Sequence, residues 1–209
     1  MLVGVISDIH ANRVALRAVL EDMPPVDALV CAGDVVGYNP WPAACIDELR
    51  ERDVPTVMGN HDRAVATATG FGGNGMADAG ARYANEALDT ERIEWLKNLP
   101  ETRRCLDGRI RLVHGHPDDP NRYTYPSLFS PELLGSESVL IMGHTHVQAY
   151  ERYDDGIVLT LRYWIYRPYK LLTARSKVQT AIWDRLEESD ADIEIPYPHR
   201  HMVFDDTSG

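Results

Sequence analysis

The sequence has few of the residues that several protein classes require. Only three of its 209 residues are cysteines, at positions 31, 45 and 105, and none forms a C-x-x-C pair. This spacing argues against a disulfide framework and against a zinc site built from thiolates. No apolar run approaches about 18 residues, and no basic segment precedes the apolar start at Met1–Ile6. We therefore expect a cytoplasmic protein with no membrane span and no signal peptide.

Basic residues are also scarce, and lysine most of all. The chain has 21 Lys plus Arg against 32 Asp plus Glu, which gives a net charge of −11, and only three of the basic residues are lysines. Proteins that bind duplex nucleic acid usually carry a basic face, so the charge disfavours that class. An acidic surface with little lysine is typical of proteins from salty cytoplasms, and an ordinary acidic protein is the equal alternative.

The length and the 44% hydrophobic content predict one globular domain over residues 1–197, followed by a flexible tail at 198–209. Short apolar runs alternate with amphipathic helices, which predicts parallel βαβ units. The predicted strands are Leu2–Ser7, Ala28–Ala32, Val54–Met58, Ile110–Val113 and Val139–Met142, followed by an antiparallel set at Gln148–Tyr153, Gly156–Leu161, Gln179–Asp184 and Ile193–Tyr197. The predicted helices are Asn12–Met23, Ala43–Arg52, Asp78–Leu88 and Thr90–Leu99, with a glycine-rich loop at Gly70–Gly75.

Polar side chains that ligate metals follow five of these strands. They are Asp8 and His10, then Asp34, then Asn60, His61 and Asp62, then His114 and His116, and finally His144 and His146. Most of these groups are explained by turn chemistry when taken alone, whereas for His144 and His146 a structural and a functional role are equal alternatives. Because the carboxyl ends of parallel strands meet at one crevice, the groups together predict a metal site. Imidazole and carboxylate without thiolate favour Mn²⁺, Fe²⁺, Co²⁺, Ni²⁺ or Zn²⁺. The set is too large for one tetrahedral ion and suits a pair of ions acting at phosphorus.

The same residues resemble a known family. Asp8-x-His10, Gly33-Asp34, Gly59-Asn60-His61-Asp62, His114 and Gly143-His144-x-His146 resemble, in order, the five signature motifs of the calcineurin-like metallophosphoesterases. The stretches at 7–12 and 33–38 resemble its small YfcE-like phosphodiesterase branch. The resemblance implies an α/β fold, a four-layer α/β/β/α sandwich of two mixed β-sheets flanked by helices.

The resemblance also implies a role for each motif residue. Asp8, His10 and His146 are expected to hold the first ion, Asp34 to bridge, and Asn60, His114 and His144 to hold the second. Two divalent transition-metal ions are expected, with Mn first and Fe, Ni, Co or Zn as alternatives. The implied reaction is phosphodiester hydrolysis by a metal-bridged hydroxide, with His61 protonating the leaving oxygen. The alternatives are a phosphomonoesterase, a protein or nucleotide phosphatase, and a non-catalytic scaffold of the retromer-subunit type.

Three further residues are expected to bind substrate. Phosphatase branches of the family carry a motif that resembles Gly-Asp-x-x-Asp-Arg-Gly, and the stretch after Asp34 has no such arginine. Arg13 and Arg63 lie near the motifs as candidate substitutes, with solvated arginines as the alternative, and Arg13 is the one expected to bind substrate. Asp62 is expected to raise the pKa of His61, with capping of the following helix as the alternative. His116 lines the pocket or belongs to a loop. A small phosphate ester is the expected substrate.

One segment departs from the family pattern. Residues Thr160–Thr180 carry five basic and no acidic residues, with four aromatic residues among them. A basic, aromatic-rich stretch can stack bases and follow a phosphate backbone, which predicts contact with single-stranded nucleic acid. An insertion that covers a sheet edge, a contact with another subunit of a homo-oligomer, and a divergent gene segment are the preferred alternatives.

Overall fold

The structure, a computed structural model, describes residues 1–73 and 75–160. Its first sheet pairs β1 (Val3–Ile6) with β2 (Ala28–Cys31) in parallel, and a single parallel bridge joins Cys31 to Thr56. All described residues belong to one compact unit, whereas the predicted domain end at 197 and the tail lie outside them.

The second sheet has five strands. They are β3 (Thr102–Cys105), β4 (Ile110–Val113), β5 (Val139–Met142), β6 (Ala149–Tyr153) and β7 (Gly156–Thr160). Their order is β3-β4-β5-β7-β6, with β4, β5 and β7 parallel and the two edge strands antiparallel to their neighbours. All four residues of β5 are buried, because a central parallel strand is covered on both faces.

Five α-helices and two short 3₁₀ helices complete the described elements. The α-helices are α1 (Arg13–Asp22), α2 (Pro42–Glu51), α3 (Asn60–Thr67), α4 (Gly75–Ala87) and α5 (Thr90–Lys97), and the 3₁₀ helices are Pro126–Leu128 and Pro131–Leu133. Asn12 caps α1 as predicted, since its Oδ1 accepts from the Ala15 N–H at 3.1 Å. Within the described ranges, no helix combines the length and apolarity of a membrane span.

Three apolar clusters hold these layers together. One packs the helices against the first sheet, and includes Leu16, Ile46, Val65 and Leu96. A second lies between the two sheets, and a third packs Phe129, Leu133 and Leu134 against the outer face of the second sheet. The layers are therefore helices, sheet, sheet and a short helical covering. The predicted α/β fold with two sheets flanked by helices is confirmed.

Several local predictions differ from the structure. The predicted strand at Val54–Met58 is wrong, because only Thr56 pairs and Pro55 has no N–H to donate. Strand β3 was not predicted because its sequence, Thr-Arg-Arg-Cys, lacks an apolar alternation. The antiparallel pair β6 and β7 confirms the hairpin predicted around Asp154–Gly156. The predicted strands at 179–184 and 193–197, and the basic segment beyond Thr160, lie outside the described residues.

Candidate metal centre

The motif residues lie on loops that share an unusual backbone conformation. Asp8, His10, Asp34, His144 and His146 all have positive φ, between 49° and 67°. This left-handed region is costly for residues with a Cβ, so the surrounding structure must impose it. Two backbone hydrogen bonds from the loop after β1 to the loop after β2 do so: Asp8 N donates to Gly33 O at 2.9 Å, and His10 N donates to Asp34 O at 2.8 Å. The two loops are thereby locked together.

Asp8, His10 and His146 form what we call the first cluster. His146 Nε2 lies 3.1 Å from His10 Nε2 and 3.3 Å from Asp8 Oδ1. His10 Nδ1 lies 3.4 Å from the Val36 carbonyl, which can only accept, so His10 presents the lone pair of Nε2 to the cluster. Burial lowers the pKa of His10 to about 3, despite the nearby Asp34 carboxylate, so this imidazole is neutral.

Asp34, Asn60 and His114 form the second cluster. His114 Nε2 lies 3.2 Å from Asp34 Oδ2 and 3.1 Å from Asn60 Oδ1, while its Nδ1 donates to Ala32 O at 2.8 Å. With Nδ1 donating to Ala32, Nε2 faces two oxygen acceptors. Burial opposes a charge on His114, but the Asp34 carboxylate outweighs it and raises the pKa to about 10, so Nε2 holds a proton unless another cation replaces it. The cluster therefore favours positive charge at this position, which a metal ion would supply in place of the proton.

Asp34 joins the two clusters. Its Oδ2 lies 3.6 Å from His10 Nε2 as well as 3.2 Å from His114 Nε2. Burial opposes its charge, but His114 and His61 hold the pKa of this carboxyl well below its usual range. The carboxylate is therefore ionised and available to both sides, as the predicted bridging role requires.

The centre also leaves a buried oxygen unsatisfied. Asp8 Oδ2 has no hydrogen-bond partner in the described part of the chain. A Cβ at position 143 would lie 2.1 Å from Ser7 Oγ and 2.8 Å from Asp8 Oδ2, so only glycine permits this approach. An orphaned carboxylate oxygen beside imidazole nitrogens, with no thiolate, fits a divalent transition-metal ion.

His61 lies against both clusters without belonging to either. Its backbone N–H donates to Asp34 Oδ1 at 2.8 Å, and its ring centroid lies 4.6 Å from those of His10 and Tyr38. Its buried Nδ1 has no hydrogen-bond partner within the described residues. Nitrogen and carboxylate atoms of His61, His10 and Asp34 also lie within 4.8 Å of one another. The geometry therefore allows His61 to act as ligand or as acid.

The environment of His61 corrects one prediction. Burial lowers its pKa, and the Asp34 carboxylate offsets only part of the effect. Asp62 forms no bond with this ring, because its carboxylate accepts from the N–H groups of Gly59 at 2.9 Å and Val36 at 3.1 Å. The expectation that Asp62 raises the pKa of His61 is thus wrong, and the alternative role as a cap of α3 is what the structure shows.

Residues 1–164 match the calcineurin-like phosphoesterase superfamily domain. This chain belongs to that superfamily. It is 24% identical to the Methanocaldococcus jannaschii protein MJ0912, over 93% of this chain and 86% of that protein. It is similar to a metallophosphoesterase of Sphaerobacter thermophilus, with a TM-score of 0.63 and 29% identity over 77% of this chain and 75% of the other. Protein PH1004 of Pyrococcus horikoshii has the same fold, with a TM-score of 0.63 and 19% identity over 77% and 76% of the two chains.

The superfamily motif residues are nearly all gathered in one place. Six of the seven predicted metal ligands lie in the two clusters, namely Asp8, His10, Asp34, Asn60, His114 and His146. His144 is in neither cluster, although its ring centroid lies 5.0 Å from that of His114. Its Nε2 lies 3.1 Å from Asn121 O and its ring stacks on Tyr123 at 3.8 Å, although its backbone N–H donates to Asp8 Oδ1 at 3.0 Å. In this structure His144 orients Asp8 through its backbone.

The two other residues expected to bind substrate lie away from these contacts. Arg13 is exposed at the first position of α1. His116 belongs to a turn, where its Nδ1 accepts from Asp118 N at 3.1 Å and its backbone N–H donates to Asp119 O at 3.1 Å. This placement agrees with the alternative that His116 is a loop residue and not a pocket residue. Neither residue belongs to a cluster of metal-ligating atoms that the described residues form.

Aromatic side chains around the superfamily motifs were not predicted. Tyr38 and Phe71 contact the ring of His61, with centroids 4.6 Å and 4.5 Å away, and Tyr123 stacks on His144. Tyr38 is the last residue of the motif Gly33–Tyr38, so the sequence motif could have indicated its place near the centre. No local pattern marks Phe71 or Tyr123, because long loops bring them to the centre.

Proposed function

We propose that this protein is a metal-dependent phosphohydrolase that cleaves phosphodiesters. The observation that carries the proposal is the pair of acceptor clusters joined by Asp34. Buried nitrogen and carboxylate atoms face one another at 3.1 to 3.6 Å, and positive charge between them would stabilise this arrangement. The motifs that resemble the YfcE-like phosphodiesterase branch support the same activity.

Two divalent transition-metal ions are the cofactors that we propose. Asp8, His10 and His146 hold one, Asn60 and His114 hold the other together with His144, and Asp34 serves both. When bound, such ions offset the charge of phosphoryl oxygens and make water a stronger acid. Mn²⁺ is the metal we propose first, and Fe, Ni, Co and Zn suit the same ligands.

His61 is the residue that we propose as proton donor to the leaving oxygen. Each of its neighbours His10 and His114 has a contact at both ring nitrogens, whereas Nδ1 of His61 has none within the described residues. Its backbone bond to Asp34 fixes the ring beside the joined clusters. A histidine that is not held as a ligand is suited to proton transfer. Burial lowers the pKa of His61, so the protonated ring is a stronger acid and we expect activity to fall as the pH rises through that lowered pKa.

The charge around the centre favours diesters over monoesters. Within the described residues, the ion-pair partners of Asp34 and Asp8 are histidines and not arginine or lysine. A monoester dianion needs more positive charge than a diester monoanion, and family phosphatases supply it with the arginine that is missing after Asp34.

A hydrolysis assay tests the proposal. The protein is stripped with a chelator, reloaded with each first-row divalent metal in turn, and assayed on bis(p-nitrophenyl) phosphate and on p-nitrophenyl phosphate. We expect activity that returns with about two ions per chain and favours the diester. Inactivity with every metal contradicts the proposal. A preference for the monoester contradicts the diesterase activity and supports the alternative that the protein is a phosphomonoesterase.

The non-catalytic scaffold is the alternative from another class. It is disfavoured because the ligand set and His61 are complete in the sequence. A scaffold would bind metal without turnover, which the same assay reveals. The cytoplasmic location, a homo-oligomer contact and the binding of single-stranded nucleic acid by the segment beyond Thr160 stay predictions.

A further inference from the structure

Two tyrosines beside the metal centre have no part in the function proposed above. Tyr123 is 50% exposed and Tyr125 is 40% exposed. Both lie on the loop between β4 and β5, which also supplies the Asn121 carbonyl to His144. Exposed aromatic rings that adjoin a polar site are typical of ligand-binding surfaces.

The two rings form a row that starts on a residue of the centre. The Tyr123 ring lies 3.8 Å from the His144 ring, with 15° between their planes. The Tyr125 ring follows at 5.9 Å from Tyr123, with 13° between planes. We call Tyr123 and Tyr125 the tyrosine row. It leads from His144 to the solvent with its rings nearly parallel.

The backbone holds the tyrosine row in place. Thr124, between the two tyrosines, is buried, so the extended chain directs both rings to the opposite side. On one side of the row, His116 N donates to Arg122 O at 3.1 Å, and on the other Leu128 N donates to Tyr125 O at 2.8 Å. A surface that is ordered before binding loses less entropy when a ligand arrives.

We propose that the tyrosine row binds the nucleobase of a nucleotide phosphodiester whose phosphate lies at the metal centre. This inference rests on the proposed phosphodiesterase function and names its substrate class. A flat heteroaromatic group gains most from parallel tyrosine rings, and base stacking tolerates any sequence. Because the row starts on His144, the group that stacks on it belongs to the ester bound at the centre. An alkyl ester has no aromatic group that could stack on the tyrosine row.

Two substrates with the same leaving group isolate this contact. Thymidine 5′-(p-nitrophenyl phosphate) carries a base, and methyl p-nitrophenyl phosphate does not. We expect the metal-loaded protein to prefer the thymidine ester, and Tyr125→Ala to lower kcat/KM for that ester about fivefold to tenfold. The same variant leaves kcat/KM for the methyl ester within about twofold, since Tyr125 does not touch His144. Tyr125→Phe keeps the ring and the preference.

Tyr150→Ala is the matched control, because Tyr150 is an exposed tyrosine on β6. It is expected to change neither substrate. Equal losses on both esters in Tyr125→Ala, or no preference in the wild type, overturn the inference while the phosphodiesterase function stands.

A binding measurement decides the matter if neither ester is hydrolysed, an outcome that contradicts the proposed function itself. Equilibrium dialysis then compares thymidine 5′-monophosphate with ribose 5-phosphate on the metal-loaded protein. Tighter binding of the nucleotide that Tyr125→Ala removes supports the tyrosine row. Equal affinity for the two ligands in the wild type overturns it.

Discussion

The two clusters of the metal centre are supported in different ways. The first cluster takes its side chains from the loops after β1 and β5, and the backbone bonds between the ends of β1 and β2 lock His10 in place. In the second cluster, His114 contacts both Asp34 and Asn60. The expected fourth ligand, His144, contacts Asn121 and Tyr123. The first cluster thus depends on strand ends alone, whereas the second also depends on the loop after β4.

Substitution of Asp34 tests the link between the clusters and has the largest expected effect. Asp34→Asn removes the carboxylate whose Oδ2 lies within 3.6 Å of both His10 and His114. We expect diesterase activity to fall by more than about 10⁴-fold, the upper end of what a single acid–base group contributes. Metal content is expected to drop as well. The control is Asp107→Asn, an exposed aspartate with nearly the same backbone conformation, φ 56° against 54°. Retained activity in Asp34→Asn, measured as kcat/KM on bis(p-nitrophenyl) phosphate, contradicts the bridging role.

Substitution of His61 tests whether a residue outside both clusters carries the proton. His61→Ala is expected to lower kcat by about 10²–10⁴-fold, with the number of bound ions unchanged. The loss should be greater for an alkyl leaving group than for p-nitrophenolate, because a poor leaving group needs the proton more. Loss of one bound ion instead identifies His61 as a ligand, as its closeness to His10 and Asp34 also allows.

The metal affinities of the two clusters test directly whether the clusters differ. We expect one tight and one weaker ion, since His144 must share its ring between a metal and Asn121 O. His144→Asn is expected to weaken one ion about 10- to 100-fold and to leave the other tight. His10→Asn makes the same substitution at a fully buried histidine, and we expect it to weaken the binding of the tight ion. Metal titration by calorimetry measures both, and equal affinities in the wild type would contradict the asymmetry.

The site was easier to predict from the sequence than some of the fold. Apolar strands that end in Asp, His or Asn are a local pattern, so the residues of both clusters could be identified from the sequence. The left-handed backbone at Asp8 and His146 could not, because tertiary bonds impose it. Strand β3 was missed because its place at a sheet edge leaves three of its four residues exposed, without an apolar pattern. The position of Tyr123 depends on how a long loop folds over the centre, which no short motif encodes.

Gly37→Ala has the smallest and most local expected effect, because it displaces the His61 ring without replacing a residue of either cluster. An Ala Cβ at this position would lie 2.5 Å from His61 Nδ1, at a φ of 100° that strains any residue with a Cβ. Gly72→Ala is the matched control, since it also has positive φ (67°) but meets nothing within 4 Å. We expect Gly72→Ala to lower the free energy of unfolding by about 1–2 kcal/mol without changing activity. Gly37→Ala should also lower kcat at unchanged metal content, because our proposal makes the displaced His61 ring a proton donor and not a ligand.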